Sequence, residues 1–215
     1  GRTELGGNHT DHQHGRVLAA AVDLDILAAV APNQSGMIRV QSQGYPLMVV
    51  DLSDLNPHAE EAGTSAALIR GVAARMSAMG CPLQNVGLDA YMVSNVPGGS
   101  GLSSSAAFEV LIGTILNDLF WGGKCSAVEI AQIGQYAENV FFGKPCGLMD
   151  QTASSVGGVV AIDFADTQAP VVEQIALDLH ANGYALCILN SGAGHADLTA
   201  EYASITEELK AVCGC

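Results

Sequence analysis

Residues 96–107, VPGGSGLSSSAA, place three glycines directly ahead of three consecutive serines. Glycine adopts backbone angles closed to other residues and has no Cβ to hold a ligand off. Gly98, Gly99 and Gly101 therefore suit a turn that brings main-chain N–H groups against an anion. Ser103, Ser104 and Ser105 stand where the cap and first turn of a helix belong. The free amides and the positive end of the helix dipole would then face one point, an arrangement that holds phosphate. Pro97, Ser100 and Leu102 complete the loop. On this loop alone, a tight strand-to-helix connection with no ligand is an equal reading.

Better-known motifs are absent. The two Gly-Lys pairs, Gly123-Lys124 and Gly143-Lys144, lack the leading glycine and the hydroxyl residue of a Walker A sequence. A dinucleotide-binding fingerprint would need glycine where Ser104 stands, and no serine has the flanking glycines of an esterase elbow.

Two further segments carry chemistry. The first fifteen residues, GRTELGGNHTDHQHG, crowd Arg2, Asn8, His9 and Asp11 among glycines, which reads as a loop lining a polyhydroxylated ligand rather than as a strand or helix. A solvated loop and a metal site built from His9, Asp11, His12 and His14 are the rival readings, but HTDHQH has no helical histidine pair. The second segment is AENVFFGKPCGLMDQ, residues 137–151. Asp150, at the end of a glycine-proline turn, is placed to approach a substrate hydroxyl, and Glu138 on the preceding helix to hold a divalent ion together with a loop serine. Cys146 has no partner base and reads as a packing residue.

The elements that must position these groups follow from periodicity. Apolar residues Phe108, Val110, Leu111, Ile115, Leu116 and Leu119 predict a helix from about 103 to 119 with one buried face. The alternation over 86–93 predicts a strand just before the glycine loop. Helices are expected over 64–79, over 126–140 with Ser126 and Glu129 as a capping box, from about 150 to the glycines at 157–158, and over 198–212. Strands are expected within 17–30, around Gly44-Tyr45-Pro46 within 37–50, and over 159–164 and 184–189. This mixture points to an α+β fold.

The composition excludes several function classes. The chain has 215 residues, 49% hydrophobic and 14% charged, which is globular. Its net charge of −14, with no run of lysine or arginine, argues against nucleic acid. No stretch reads as a membrane span or export signal, so a cytoplasmic protein is expected, with its six cysteines as reduced thiols.

Together the three segments resemble one family, the galactokinases within the group of small-molecule kinases that includes homoserine and mevalonate kinases. GRTELGGNHTDHQHGRVL is similar to the galactokinase signature, PGGSGLSSSAA to the family's phosphate loop and AENVFFGKPCGLMDQ to its catalytic-aspartate segment, in the same order and spacing. The resemblance implies a two-domain kinase fold, ATP and Mg2+ as cofactors, and a sugar and a nucleotide as small-molecule partners. By position, it makes Asp150 and Arg2 catalytic, Asn8, His9, Asp11, Gly147 and Tyr202 sugar contacts, Pro97 to Ser105 the nucleotide loop, and Ser105 and Glu138 metal ligands. Galactokinases usually carry glutamate where this chain has Asn8.

The implied division is a phosphate-loop and sugar-binding domain over 1–165 and the start of a second domain over 166–215, the chain resembling a fragment with little turnover of its own. The alternatives are a sugar-sensing, catalytically weak regulator and a related kinase for another small alcohol.

Overall fold

A computed structural model describes residues 1–7 and 10–189, together with 204, 208, 211 and 212. The chain forms strands β1 (Arg2–Gly6), β2 (Arg16–Ala21), β3 (Ile26–Asn33), β4 (Met37–Ser42) and β5 (Met48–Asp51), then helix α1 (Ser65–Ala78) and strand β6 (Gly87–Ser94). Helices α2 (Ser104–Trp121), α3 (Ala127–Ala137) and α4 (Met149–Val156) follow, and β7 (Val159–Asp163) and β8 (Val171–Ile175) come last. One sheet has the order β1-β2-β7-β8 and is antiparallel throughout. The other has the order β3-β6-β4-β5, with β4 and β6 parallel. Helices mix with both sheets, as the expected α+β class requires.

Two cores follow from these layers. Ile38, Val40, Leu88, Ala90 and Met92 on the second sheet pack against Ile69, Val72 and Met76 of α1, Ile112 and Leu116 of α2, and Ile130 and Ile133 of α3. On β6 the inward set Leu88, Ala90 and Met92 alternates with outward Asp89, Tyr91 and Val93, the period-two pattern of a strand covered on one face. Val17 and Ala19 of β2 with Val160 and Ile162 of β7 pack on Met149 and Ala153 of α4 and on Ala131 of α3. Helix α3 thus faces both cores and ties the two sheets together.

Local signals account for most boundaries. Thr64 caps α1 by accepting from the Ala67 amide, and Ser126 with Glu129 forms the expected capping box of α3. The helix expected to reach residue 140 leaves α geometry at Ala137 and continues as one π turn, Glu138–Phe142, closed by Gly143 at φ 84°. That wider turn points Glu138 into the protein, where it is buried.

The structure corrects four expectations. The first residues are not wholly a loop: Arg2–Gly6 is a strand paired with β2, and Thr10–Gln13 is a 3-10 turn. The polar composition hid the strand because Arg2, its first residue, is buried toward polar partners instead of an apolar core. The run 17–30, which reads as a strand pair or a strand with a turn, does form two strands, but β2 and β3 belong to different sheets and do not pair with each other.

The segment 184–189 forms no strand. Leu189 is 93% exposed and no strand lies beside it among the described residues, whereas the less apolar Val171–Ile175 pairs with β7. Strand formation needs an edge to pair with, which local hydropathy does not encode.

The inward stripe of α2, finally, is Ala106, Glu109, Ile112, Gly113, Leu116 and Asn117, while Leu119 is exposed and Phe108, Val110, Leu111 and Ile115 are only partly buried. Bulk misled the assignment: small residues let the helix approach, and both inward polar residues have partners, Asn117 at the Cys125 main chain and Glu109 at Gln151. The helix expected over 198–212 lies outside the described residues except at single positions.

Candidate active site

The glycine loop joins β6 to α2, as its sequence implied. Gly99 (φ 67°) and Gly101 (φ 76°) take left-handed angles, and a Cβ on Gly98 or Gly99 would meet nothing within 4 Å. Gly99 and Gly101 are thus demanded by backbone angle, and at Gly98 and Gly99 no packing excludes a side chain. Ser100 braces the turn, its Oγ donating to the Pro97 carbonyl at 2.7 Å and accepting from the Leu102 amide at 3.4 Å. Ser103, the residue before α2, is itself left-handed at φ 58° and makes no side-chain cap to the helix. Its hydroxyl instead donates a short hydrogen bond to Asp150 Oδ2. The first turn of α2, which carries the positive end of the helix dipole, is thereby left without a side-chain cap.

Arg2 and Asp150 meet beside that loop although 148 positions separate them in the chain. Arg2 Nε lies 2.7 Å from Asp150 Oδ1, Nη2 also approaches that oxygen at 2.7 Å, and Nη1 donates to the Gly101 carbonyl at 2.8 Å. The Arg2 amide donates to the Leu102 carbonyl at 3.1 Å, which stitches β1 to the loop. The Arg2 side chain is 8% exposed and that of Asp150 33%, so the guanidinium is buried while the carboxylate reaches the protein surface.

Asp11 sits in the 3-10 turn and is buried, with Oδ2 accepting from the Met149 amide at 3.3 Å and Oδ1 without a partner among the described residues. An unpaired buried carboxylate oxygen costs free energy, so a donor from outside the protein is the natural occupant of that position. Gly147 explains itself here: a Cβ would stand 1.8 Å from Asp11 Oδ2, so any larger residue displaces the carboxylate. Asn8, His9 and Tyr202 lie outside the described residues.

Behind the loop, Ser105 Oγ donates to Glu138 Oε1 at 3.1 Å, joining the two residues expected to hold a metal. Hydroxyl and carboxylate oxygens are the donor types magnesium takes, and magnesium is commonly held by one or two carboxylates with substrate phosphates supplying the rest. The pair fits that demand, and among the described residues no group of three or more histidines, cysteines or carboxylates forms an all-protein metal cage.

Sequence reasoning passed over three neighbours of this pair. Gln151 Nε2 donates to Glu138 Oε2 at 2.9 Å and to Glu109 Oε2 at 3.1 Å, and Lys144 Nζ stands 3.4 Å from Glu138 Oε1. Burial, and after it the neighbouring Glu138 carboxylate, pushes Glu109 well above the usual carboxylate range. The one available signal was a charge at position 109 inside an otherwise apolar helical run. Loss of solvation likewise raises the Cys146 thiol, in keeping with a packing role.

Comparison with known proteins agrees with this geometry. The family model described as GHMP kinases N terminal domain matches residues 66–158, and that described as galactokinase galactose-binding signature matches residues 1–32. A galactokinase of Streptomyces coelicolor is 36% identical over 204 residues, covering 94% of this chain and 51% of that protein. A galactokinase of Lacticaseibacillus paracasei is 34% identical over 183 residues, covering 85% and 47%. The crystal structure of Lactococcus lactis galactokinase complexed with galactose matches the fold with a TM-score of 0.75 at 24% identity, over 83% of this chain and 46% of that one. The Methanococcus jannaschii mevalonate kinase matches with a TM-score of 0.65 at 17% identity, over 84% and 55%. The chain therefore spans about half the length of the curated relatives it matches. Three segments in register, two matching family models and relatives above 30% identity converge: over the half of those proteins that it spans, the chain is a homologue of galactokinases within the GHMP kinases.

Proposed function

We propose that this chain is the catalytic half of a cytoplasmic ATP-dependent kinase that transfers the γ-phosphoryl group to the anomeric hydroxyl of galactose or a related hexose. Residues 1–165 are the phosphate-loop and sugar-binding domain, and residues 166–215 begin the second. The observation that carries the reading is the meeting of Arg2 and Asp150 at the open end of α2. The relatives named galactokinase and the galactose complex of the Lactococcus lactis enzyme support the choice of sugar.

Phosphoryl transfer passes through a loose transition state, so the protein acts mainly by positioning and by stabilising charge. The loop from Pro97 to Ser105 cradles the nucleotide phosphates with main-chain N–H groups. Magnesium, when bound by Ser105 and Glu138, offsets charge on the phosphate oxygens. Arg2, anchored on the Gly101 carbonyl, presents its guanidinium to the transferred group. Asp150 accepts a hydrogen bond from the attacking hydroxyl and orients it. Ser103 and Arg2 hold that carboxylate from the protein side, which fixes the direction it presents. Asp11 takes a sugar hydroxyl on its unpartnered oxygen, and Gly147 leaves the room for it. Asn8, His9 and Tyr202 complete the sugar contacts on the strength of the family resemblance.

The test is ADP release by the full-length protein with ATP, magnesium and a panel of hexoses and small alcohols. Turnover with galactose or a close epimer is expected, falling by about 10²–10⁴ in Asp150→Ala. Sugar binding without ADP release would reject the kinase reading, and a preference for a non-sugar alcohol would reject the substrate class.

A further inference from the structure

The two oxygens of Glu138 have different partners. Gln151 occupies Oε2 from 2.9 Å, whereas Oε1 faces Ser105 Oγ at 3.1 Å and Lys144 Nζ at 3.4 Å. The Glu138 side chain is 3% exposed and that of Lys144 42%, so an ammonium reaches in from the rim to one oxygen of a buried carboxylate. The main chain fixes where that lysine starts, because the Lys144 amide donates to the Glu138 carbonyl at 3.1 Å across the π turn. Only the four-carbon stem is left free to move. No other cation pairs with Glu138 among the described residues, since Arg2 is committed to Asp150 and Gly101.

We infer that Lys144 is a place-holding cation at the metal site: its ammonium occupies Glu138 Oε1 while no divalent ion is there and must leave that oxygen for one to bind. This rests on the reading of Ser105 and Glu138 as the magnesium ligands. Magnesium requires its oxygen ligands at about 2.0–2.1 Å, and an ammonium held on the same oxygen would sit within a few ångströms of two positive charges. Lysine is suited to yielding, being a point charge on a flexible stem with water at its tip. An arginine fork in a closed pocket would not be. The lysine thus keeps a buried carboxylate paired in the free protein, and it sets the affinity for the ion below what the serine and glutamate alone would give.

The test is binding of Mn2+ alone to the full chain, read from the loss of the free-ion electron paramagnetic resonance signal, in wild type, Lys144→Met, Lys144→Gln, Lys144→Arg and Glu138→Gln. Both neutral lysine variants are expected to bind Mn2+ about two- to five-fold more tightly, the span of a partly exposed ion pair, while Lys144→Arg binds no more tightly than wild type. Thermal unfolding gives a second readout: without metal the neutral variants melt below wild type, and saturating Mn2+ narrows the gap. Unchanged or weaker Mn2+ binding in Lys144→Met and Lys144→Gln overturns the place-holder while leaving the metal site standing. Equal binding by wild type and Glu138→Gln overturns both, because the ion would then be elsewhere.

Discussion

Asp150 and Gln151 are consecutive residues of α4, yet they serve clusters built on opposite electrostatic plans. On the outer side, Asp150 meets charge with charge: the Arg2 guanidinium holds Oδ1, the Ser103 hydroxyl holds Oδ2, and a third of the side chain remains open to solvent. On the inner side, one amide nitrogen of Gln151 stands between two carboxyl groups, Glu109 and Glu138, all three buried. No guanidinium reaches this second cluster among the described residues, and Glu109 Oε1 and Gln151 Oε1 have no hydrogen-bond partner. The first arrangement suits a carboxylate that must act as an ion at a surface. The second suits a carboxyl pair of which one member keeps its proton and the other is held in position, here the one that touches Ser105. Adjacent positions of one helix thus carry, under the proposed function, a group that orients a reactant and a group that orients a ligand to metal.

Substitutions can break this contrast at either side, and the largest effect is expected at Arg2. Arg2→Lys keeps the charge but loses the fork that reaches Asp150 and the Gly101 carbonyl together. If the proposed kinase activity holds, kcat/KM of the full-length protein should fall by roughly 10²-fold or more, the cost of losing one preorganised donor, with little change in melting temperature. A variant with full activity would mean that the guanidinium is structural only. Gln151→Leu should do the reverse. It leaves two buried carboxyls without their shared donor, so denaturant unfolding is expected to show a loss of about 1–3 kcal/mol. Mn2+ binding should weaken with it, because Glu138 loses the contact that fixes Oε2. Stability loss without any change in Mn2+ binding would reduce Gln151 to packing.

The two clusters were also unequally legible in the sequence. The outer side was open to reading because its chemistry sits in loops with unusual residues: three glycines, a serine run, and an aspartate after a glycine-proline turn. The family resemblance then supplied the one thing composition lacks, the pairing of Arg2 with Asp150 across most of the chain. The inner cluster was hidden because Glu109 lies in an amphipathic helix where the bulkier neighbours Phe108, Val110 and Leu111 looked like the buried face. Only the packing of α2 on α3 and α4 shows which stripe turns inward. The π turn at 138–142 was equally invisible, since the sequence extends smoothly as α-helix until Gly143. For the same reason hydropathy points to 184–189 and not to β1 or β8: pairing partners distant in sequence decide which segments become strands.

The smallest expected effect isolates the proton on the inner pair. Burial first, and Glu138 second, raise Glu109, so the folded protein binds this proton more tightly than the unfolded chain does. As pH rises above the ordinary glutamate value of about 4.3, the unfolded chain releases the proton while the folded protein retains it, and stability must decline until the raised folded value is passed. Glu109→Gln keeps the shape, cannot titrate, and offers an N–H near an otherwise unpartnered Gln151 oxygen. Denaturant midpoints measured from about pH 5 to 9 should therefore fall more steeply in wild type than in the variant, with the curves closest at the acidic end. The Cys146 thiol, also raised by burial, is present in both proteins and cancels from the difference. Parallel curves would show that Glu109 ionises as an ordinary surface carboxylate, and the inner cluster would then be no different in kind from the Asp150 side.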